Sequence, residues 1–113
     1  MIDNEIIMEI LVEWVKAKTP KTYSDLSDAY MEKTGEWHEP HGSWDVPLGQ
    51  LNNDLADNSA PAISALVVLK GKNEPGGNFW GCAPNVPERP KNEMDRLAKW
   101  KEILDDIFAH NWD

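Results

Sequence analysis

Apolar positions recur at helical spacing through the first half of the chain and then fuse into a continuous run, and this change of period sets out the elements. Ile6, Ile7, Ile10, Leu11, Trp14 and Val15 repeat every three or four residues while Glu5, Glu9, Glu13 and Lys16 fall on the other side, which predicts an amphipathic first helix. Asp3 or Asn4 can cap it, and Pro20 lies just past its end. A second helix is predicted from Thr22 or Ser24 as cap, with Leu26, Ala29, Tyr30 and Met31 inward, Tyr23 packed at the entry and Gly35 as the stop. The segment from Glu36 to Trp44, with Pro40, Gly42, two histidines and two tryptophans, reads as a loop. A third helix follows from about Asp45 to Asp57. Pro47 is tolerated in its first turn, and Leu48, Leu51 and Leu55 form its buried stripe.

Past Pro61 the pattern is that of a sheet. Ile63 to Leu69 is an apolar, partly β-branched run of strand length, closed by Lys70-Gly71-Lys72 and the turn residues Glu74 to Asn78. Phe79 to Cys82 is expected to pair back as a short second strand. The proline-dotted stretch Ala83 to Pro90 connects to a last helix, opened by Pro90, with Met94, Leu97, Trp100, Ile103, Leu104, Ile107 and Phe108 along one side. The predicted fold is therefore α+β: three helices, a β-hairpin wing and a C-terminal helix, in a single domain over residues 1–113.

Composition adds a core and a charge. A chain of 113 residues is long enough to bury roughly two-thirds of its unfolded surface, and an apolar share of 41% with six tryptophans argues against disorder. Acids outnumber bases 20 to 11, for a net charge of −9. From Thr22 to Leu69 stand Asp25, Asp28, Glu32, Glu36, Glu39, Asp45, Asp54 and Asp57 against Lys33 alone. Attraction to DNA, RNA or an anionic membrane is disfavoured by that balance, and attraction to a basic protein surface is favoured. A single cysteine, Cys82, excludes an internal disulfide and points to a reducing compartment. Met-Ile-Asp-Asn-Glu has no positive leader region, and no apolar run approaches the roughly 20 residues of a membrane span. A cytoplasmic location is expected.

The order Thr22-Tyr23-Ser24-Asp25-Leu26, the helix around Pro47-Leu48-Gly49-Gln50-Leu51, the strand Ala65-Leu66-Val67-Val68, then Pro75-Gly76-Gly77 and Phe79-Trp80, resembles a winged-helix pattern. It is similar to the DNA-binding half of alkylguanine-DNA alkyltransferases, and to small prokaryotic domains that close on a tryptophan, as Trp112 does here. The likeness spans about 60 residues. That family's reaction uses a Pro-Cys-His-Arg motif directly after the strand, which this chain lacks; Cys82 lies beyond the turn in Gly-Cys-Ala-Pro. The resemblance implies the winged helix-turn-helix-like architecture only, since fold does not carry function.

No residue cluster forms a catalytic signature, and no cofactor motif is present; a non-enzymatic protein is expected. His38 and His41 with Glu36, Glu39 or Asp45 offer nitrogen and oxygen ligands, but their spacing is loose and no second ligand dyad exists. A loop pinned by its tryptophans is the favoured reading, and no metal site is assigned. Cys82 has no base beside it in sequence and reads as structural. The periodic Glu and Asp residues of the helices belong to solvated faces, and Pro75-Gly76-Gly77 serves as a hairpin turn. Trp14 and Trp100 fall on apolar stripes. Trp37, Trp44, Trp80 and Trp112 stand in loops, on the wing or at the terminus, either as interface anchors or as covers of the core.

Two function classes follow. The first is an acidic binding module for a basic, nucleic-acid-binding protein, through Asp25, Asp28, Glu32, Glu36, Trp37, Trp44, Asp45, Asp54 and Asp57. Its extreme form is a DNA mimic whose acids stand in for phosphates, an inhibitor of a DNA- or RNA-processing complex of the anti-restriction or anti-CRISPR type, by analogy with small acidic phage anti-defence proteins. The alternative is a winged-helix DNA-binding regulator, or an accessory subunit of a DNA-acting enzyme, using Lys70, Lys72, Lys91, Arg96, Lys99 and Lys101. A homodimer through the last helix or the exposed aromatics is a further possibility.

Overall fold

In the computed structural model, residues 2–72 and 74–112 are described, and they form an α+β domain of four helices around a buried central segment. Helix α1 (Asn4–Ala17) starts where Asp3 Oδ1 accepts from the Glu5 amide at 2.9 Å and ends on Lys18 in the left-handed conformation. It buries Ile7, Ile10, Leu11, Trp14 and Val15. Helix α2 (Tyr23–Thr34) opens on a capping box: Thr22 Oγ1 accepts from the Asp25 amide at 3.2 Å, and Asp25 Oδ2 accepts from the Thr22 amide at 3.0 Å. Gly35, at φ 78°, ends it. Leu26, Ser27 and Tyr30 face in, whereas Met31, expected inside, faces solvent.

Helix α3 (Asp45–Asp57) has the bounds its sequence predicts and buries Leu48, Leu51 and Asn52. The expected long strand at 63–69 does not form. Ile63–Leu66 is a 3-10 turn, and only Val67–Val68 (β2) is strand, paired in parallel with Lys21–Thr22 (β1) in the register Lys21 to Val67 and Thr22 to Val68. Phe79 to Cys82 is a succession of turns, with the Phe79 amide donating to Gly76 O and the Cys82 amide to Phe79 O. No hairpin wing exists among the described residues. The reason lies in burial: every residue from Ala62 to Val68 is buried, and an apolar run enclosed on all sides has no polar face to enforce a strand's alternation. It becomes the centre of the core, with α1, α3 and α4 packed on the 3-10 turn and α2 on β2.

Helix α4 (Glu93–Ala109) begins three residues later than Pro90 suggests, because Asn92 Oδ1 accepts from the Met94 and Asp95 amides. Its buried stripe is Trp100, Ile103, Leu104 and Ile107. The Trp100 indole N–H donates to Ala65 O at 2.8 Å, fixing α4 to the central turn. Met94 and Leu97, expected on the stripe, are 79% and 38% exposed and line an open groove with Gly71, Lys72 and Glu74. Among the described residues no helix is long and apolar enough to cross a membrane.

Candidate functional site

The acidic residues singled out by the sequence divide into free and engaged groups. Asp25, Asp28 and Glu32 stand at i, i+3 and i+7 of α2, so they share one outward stripe. Asp54 and Asp57 stand at i and i+3 near the end of α3, and all five are exposed. Among the described residues no cation pairs with any of them. Asp25 is occupied by the Thr22 cap. Asp45 is exposed, but its Oδ2 accepts from Asn78 Nδ2 at 2.8 Å. Glu36 lies 3.3 Å from His38 Nε2.

The two tryptophans of the 36–44 segment part company. Trp37 is 51% exposed and, among the described residues, is the only tryptophan of the large exposed apolar side chains. Trp44 is fully buried, which corrects its assignment as a surface contact. Its indole N–H donates to Ser27 Oγ at 2.9 Å, and the Tyr30 and His38 rings stand edge-on to it at centroid distances of 5.4 and 5.6 Å. The imidazole of His38 thus packs on these rings while its Nε2 faces Glu36. Among the described residues no three His, Cys, Asp or Glu side chains converge as a metal-binding group. Of the other loop tryptophans, Trp80 is buried and Trp112 is half-buried, its indole donating to Ile107 O at 2.8 Å.

The basic alternative is weaker in structure than in sequence. Arg96 is not a free cation, because Nε faces Glu74 Oε2 at 3.4 Å and Nη1 donates to Pro90 O and Lys91 O at 3.2 and 3.1 Å. Its side chain is only 13% exposed, so it clamps the start of α4 to the preceding loop. Lys99 pairs with Glu102 at 3.0 Å. Lys70, Lys72, Lys91 and Lys101 are exposed.

Sequence reasoning missed a small polar pocket between α2, α3 and the 74–82 turns, lined by Tyr23, Asp45, Asn52, Ser64, Asn78 and Cys82 together with apolar neighbours. Its free volume of about 10 Å³ has room for about one water. Asn52, fully buried, donates through Nδ2 to Ser64 Oγ at 2.6 Å and toward Cys82 Sγ at 3.5 Å. Tyr23 Oη accepts from the Gly76 amide at 3.0 Å. Burial pushes the Tyr23 phenol above its ordinary value of 10.0; the Gly76 hydrogen bond opposes this, and the nearness of Asp45 and Cys82 adds to it. Asn52 was detectable at i+4 from Leu48, a polar side chain set on the apolar stripe of α3. These bonds tie the 74–82 turns to both helices. Asp45, through Asn78, adds a further tie from α3 to these turns, and the arrangement holds them in place.

Comparison with protein-family models, with curated proteins and with solved structures gives no match for this chain.

Proposed function

We propose that the chain is a non-enzymatic acidic binding module that engages a basic protein surface. The observation that carries this reading is the set of exposed carboxylates on α2 and α3, Asp28, Glu32, Asp54 and Asp57, with no cation paired to them among the described residues. Exposed acids left without partners gain little for the fold and attract cations at a distance. Trp37, exposed on the loop that links these helices, supplies an aromatic anchor of the kind that dominates binding energy at interfaces. In the strongest form of the proposal the acids stand in for nucleic-acid phosphates, and the partner is a DNA- or RNA-processing protein that the module inhibits.

The test compares the wild-type chain with a variant carrying Asp28→Lys, Glu32→Lys, Asp54→Lys and Asp57→Lys, both tagged, in affinity capture from a bacterial lysate with and without nuclease treatment. A basic protein retained by the wild type and lost by the variant supports the proposal. Equal retention by the two chains refutes it, and capture that disappears with nuclease points to nucleic-acid binding through the exposed lysines.

A further inference from the structure

The C-terminal ends of α3 and α4 meet beside the turn at residues 83–86 and border an open groove of about 570 Å³, a volume in the range of small-molecule sites. Its walls are small and apolar: Ala56 and Ala60 from the end of α3, Pro84 from the turn, Ile103 and Ala109 from α4. Asn85 stands in this wall with half of its amide satisfied. Nδ2 donates to Ala60 O at 3.1 Å, which fixes the orientation of the amide, while Oδ1 is buried and has no hydrogen-bond partner. A buried acceptor without a donor is costly, and among the described residues Asn85 Oδ1 is the only side-chain atom so placed. The fold supplies it with no donor, and the groove that Asn85 lines is the side from which one can arrive.

The groove is also electronegative. Asp106 lines it with an exposed carboxylate that makes no ion pair among the described residues. His110, the other titratable residue of the lining, packs its ring on Trp112 with centroids 4.5 Å apart. No lysine or arginine lines the groove, and neither α3 nor α4 has a base in its last turn to offset the negative end of its dipole. An anion is therefore repelled, and a neutral ligand leaves the charge of Asp106 unmatched. A guanidinium meets both needs. Its planar fork presents N–H donors in several directions, for the carboxylate of Asp106 and for Asn85 Oδ1, and it is more weakly hydrated than an ammonium, which suits apolar walls.

We propose that this groove binds an alkylguanidinium through Asp106 and Asn85. The site uses none of the α2 and α3 carboxylates of the proposed function, and either reading can fail without the other.

The experiment is a titration of the isotope-labelled full chain at moderate salt, followed by its amide signals in NMR. The probes are n-butylguanidinium, n-butylammonium and neutral n-butylurea, added to the wild type, to Asp106→Asn and to Ala109→Trp, which fills the groove; both substituted positions are exposed, so the core is left intact. n-Butylguanidinium should saturably shift the side-chain amide of Asn85 and the backbone amides of Ala60, Asp106 and His110, and should bind about threefold or more tighter than n-butylammonium. Asp106→Asn should weaken binding about threefold or more, and Ala109→Trp should abolish it. A blocked tripeptide with a central arginine separates two sources of the same chemistry: the same shifts at equal or higher affinity assign the groove to an arginine side chain of another protein, and their absence assigns it to a free guanidinium. Equal binding of n-butylurea, shifts confined to the surroundings of Asp28, Glu32, Asp54 and Asp57, unchanged affinity in Asp106→Asn, or no saturable shift with n-butylguanidinium would each overturn the proposal.

Discussion

Gly76 and Tyr23 allow the closest numerical prediction. A Cβ added at Gly76 would lie 2.9 Å from Tyr23 Oη, while its next neighbours, Cζ and Cε2 of the same ring, are at 3.5 and 3.6 Å. The backbone at Gly76 lies outside the left-handed region, so the hydroxyl is the sole obstacle to alanine. Gly76→Ala should cost about 1–3 kcal/mol through overpacking and a displaced hydrogen bond. Tyr23→Phe leaves the half-buried Gly76 N–H without its acceptor and should cost about 1–3 kcal/mol. Once the hydroxyl is gone the alanine methyl meets only ordinary contacts, so the double variant should be about as stable as Tyr23→Phe alone. The predicted coupling is the whole cost of Gly76→Ala. For 113 residues at about 2.1 cal/mol/K each, 1 kcal/mol corresponds to about 4 °C in Tm. Four melting curves followed by circular dichroism measure the cycle. If the two single costs add to within about 0.5 kcal/mol, the packing of Tyr23 on Gly76 is not as described.

Three further outcomes follow from the same packing. Trp44→Ala should cost about 3–5 kcal/mol in urea unfolding, whereas Trp37→Ala should change stability by about 0.5 kcal/mol or less while weakening capture of the partner. Because the folded chain raises the Tyr23 pKa, its contribution is fully present below the unfolded value of 10.0 and is lost as pH rises through the folded value; above about pH 10 the urea midpoint of the wild type should therefore fall more steeply than that of Tyr23→Phe. Arg96→Ala removes the clamp on Glu74, Pro90 and Lys91 and should cost about 1–3 kcal/mol, visible as faster hydrogen exchange in the first turns of α4.

The first half of the fold was legible in the sequence because its signals are local. The alternation of α1, the Thr22 cap with Asp25 three residues on, Gly35 as stop and Pro47 in the first turn of α3 each act within a few residues. Residues 63 to 68 were not legible in the same way, since complete burial removes the periodicity that separates strand from turn. Two residues marked for function became structural through partners distant in sequence: Trp44 through Ser27, and Arg96 through Glu74. A clue to the first existed in Ser27 itself, a small hydroxyl one residue after Leu26 and three before Tyr30 on the inner side of α2, which leaves both space and an acceptor for an indole. The exposed carboxylates of α2 and α3 needed no such partner, and helical spacing alone placed them outward.

The central claim is electrostatic attraction of these acids to a basic protein, and the salt dependence of capture tests it most directly. Partners held on the tagged wild-type chain from a nuclease-treated lysate are eluted along a salt gradient and identified. A basic protein released progressively as salt rises is the predicted result. A retained partner that is itself acidic, or one whose release is indifferent to salt, would contradict the account.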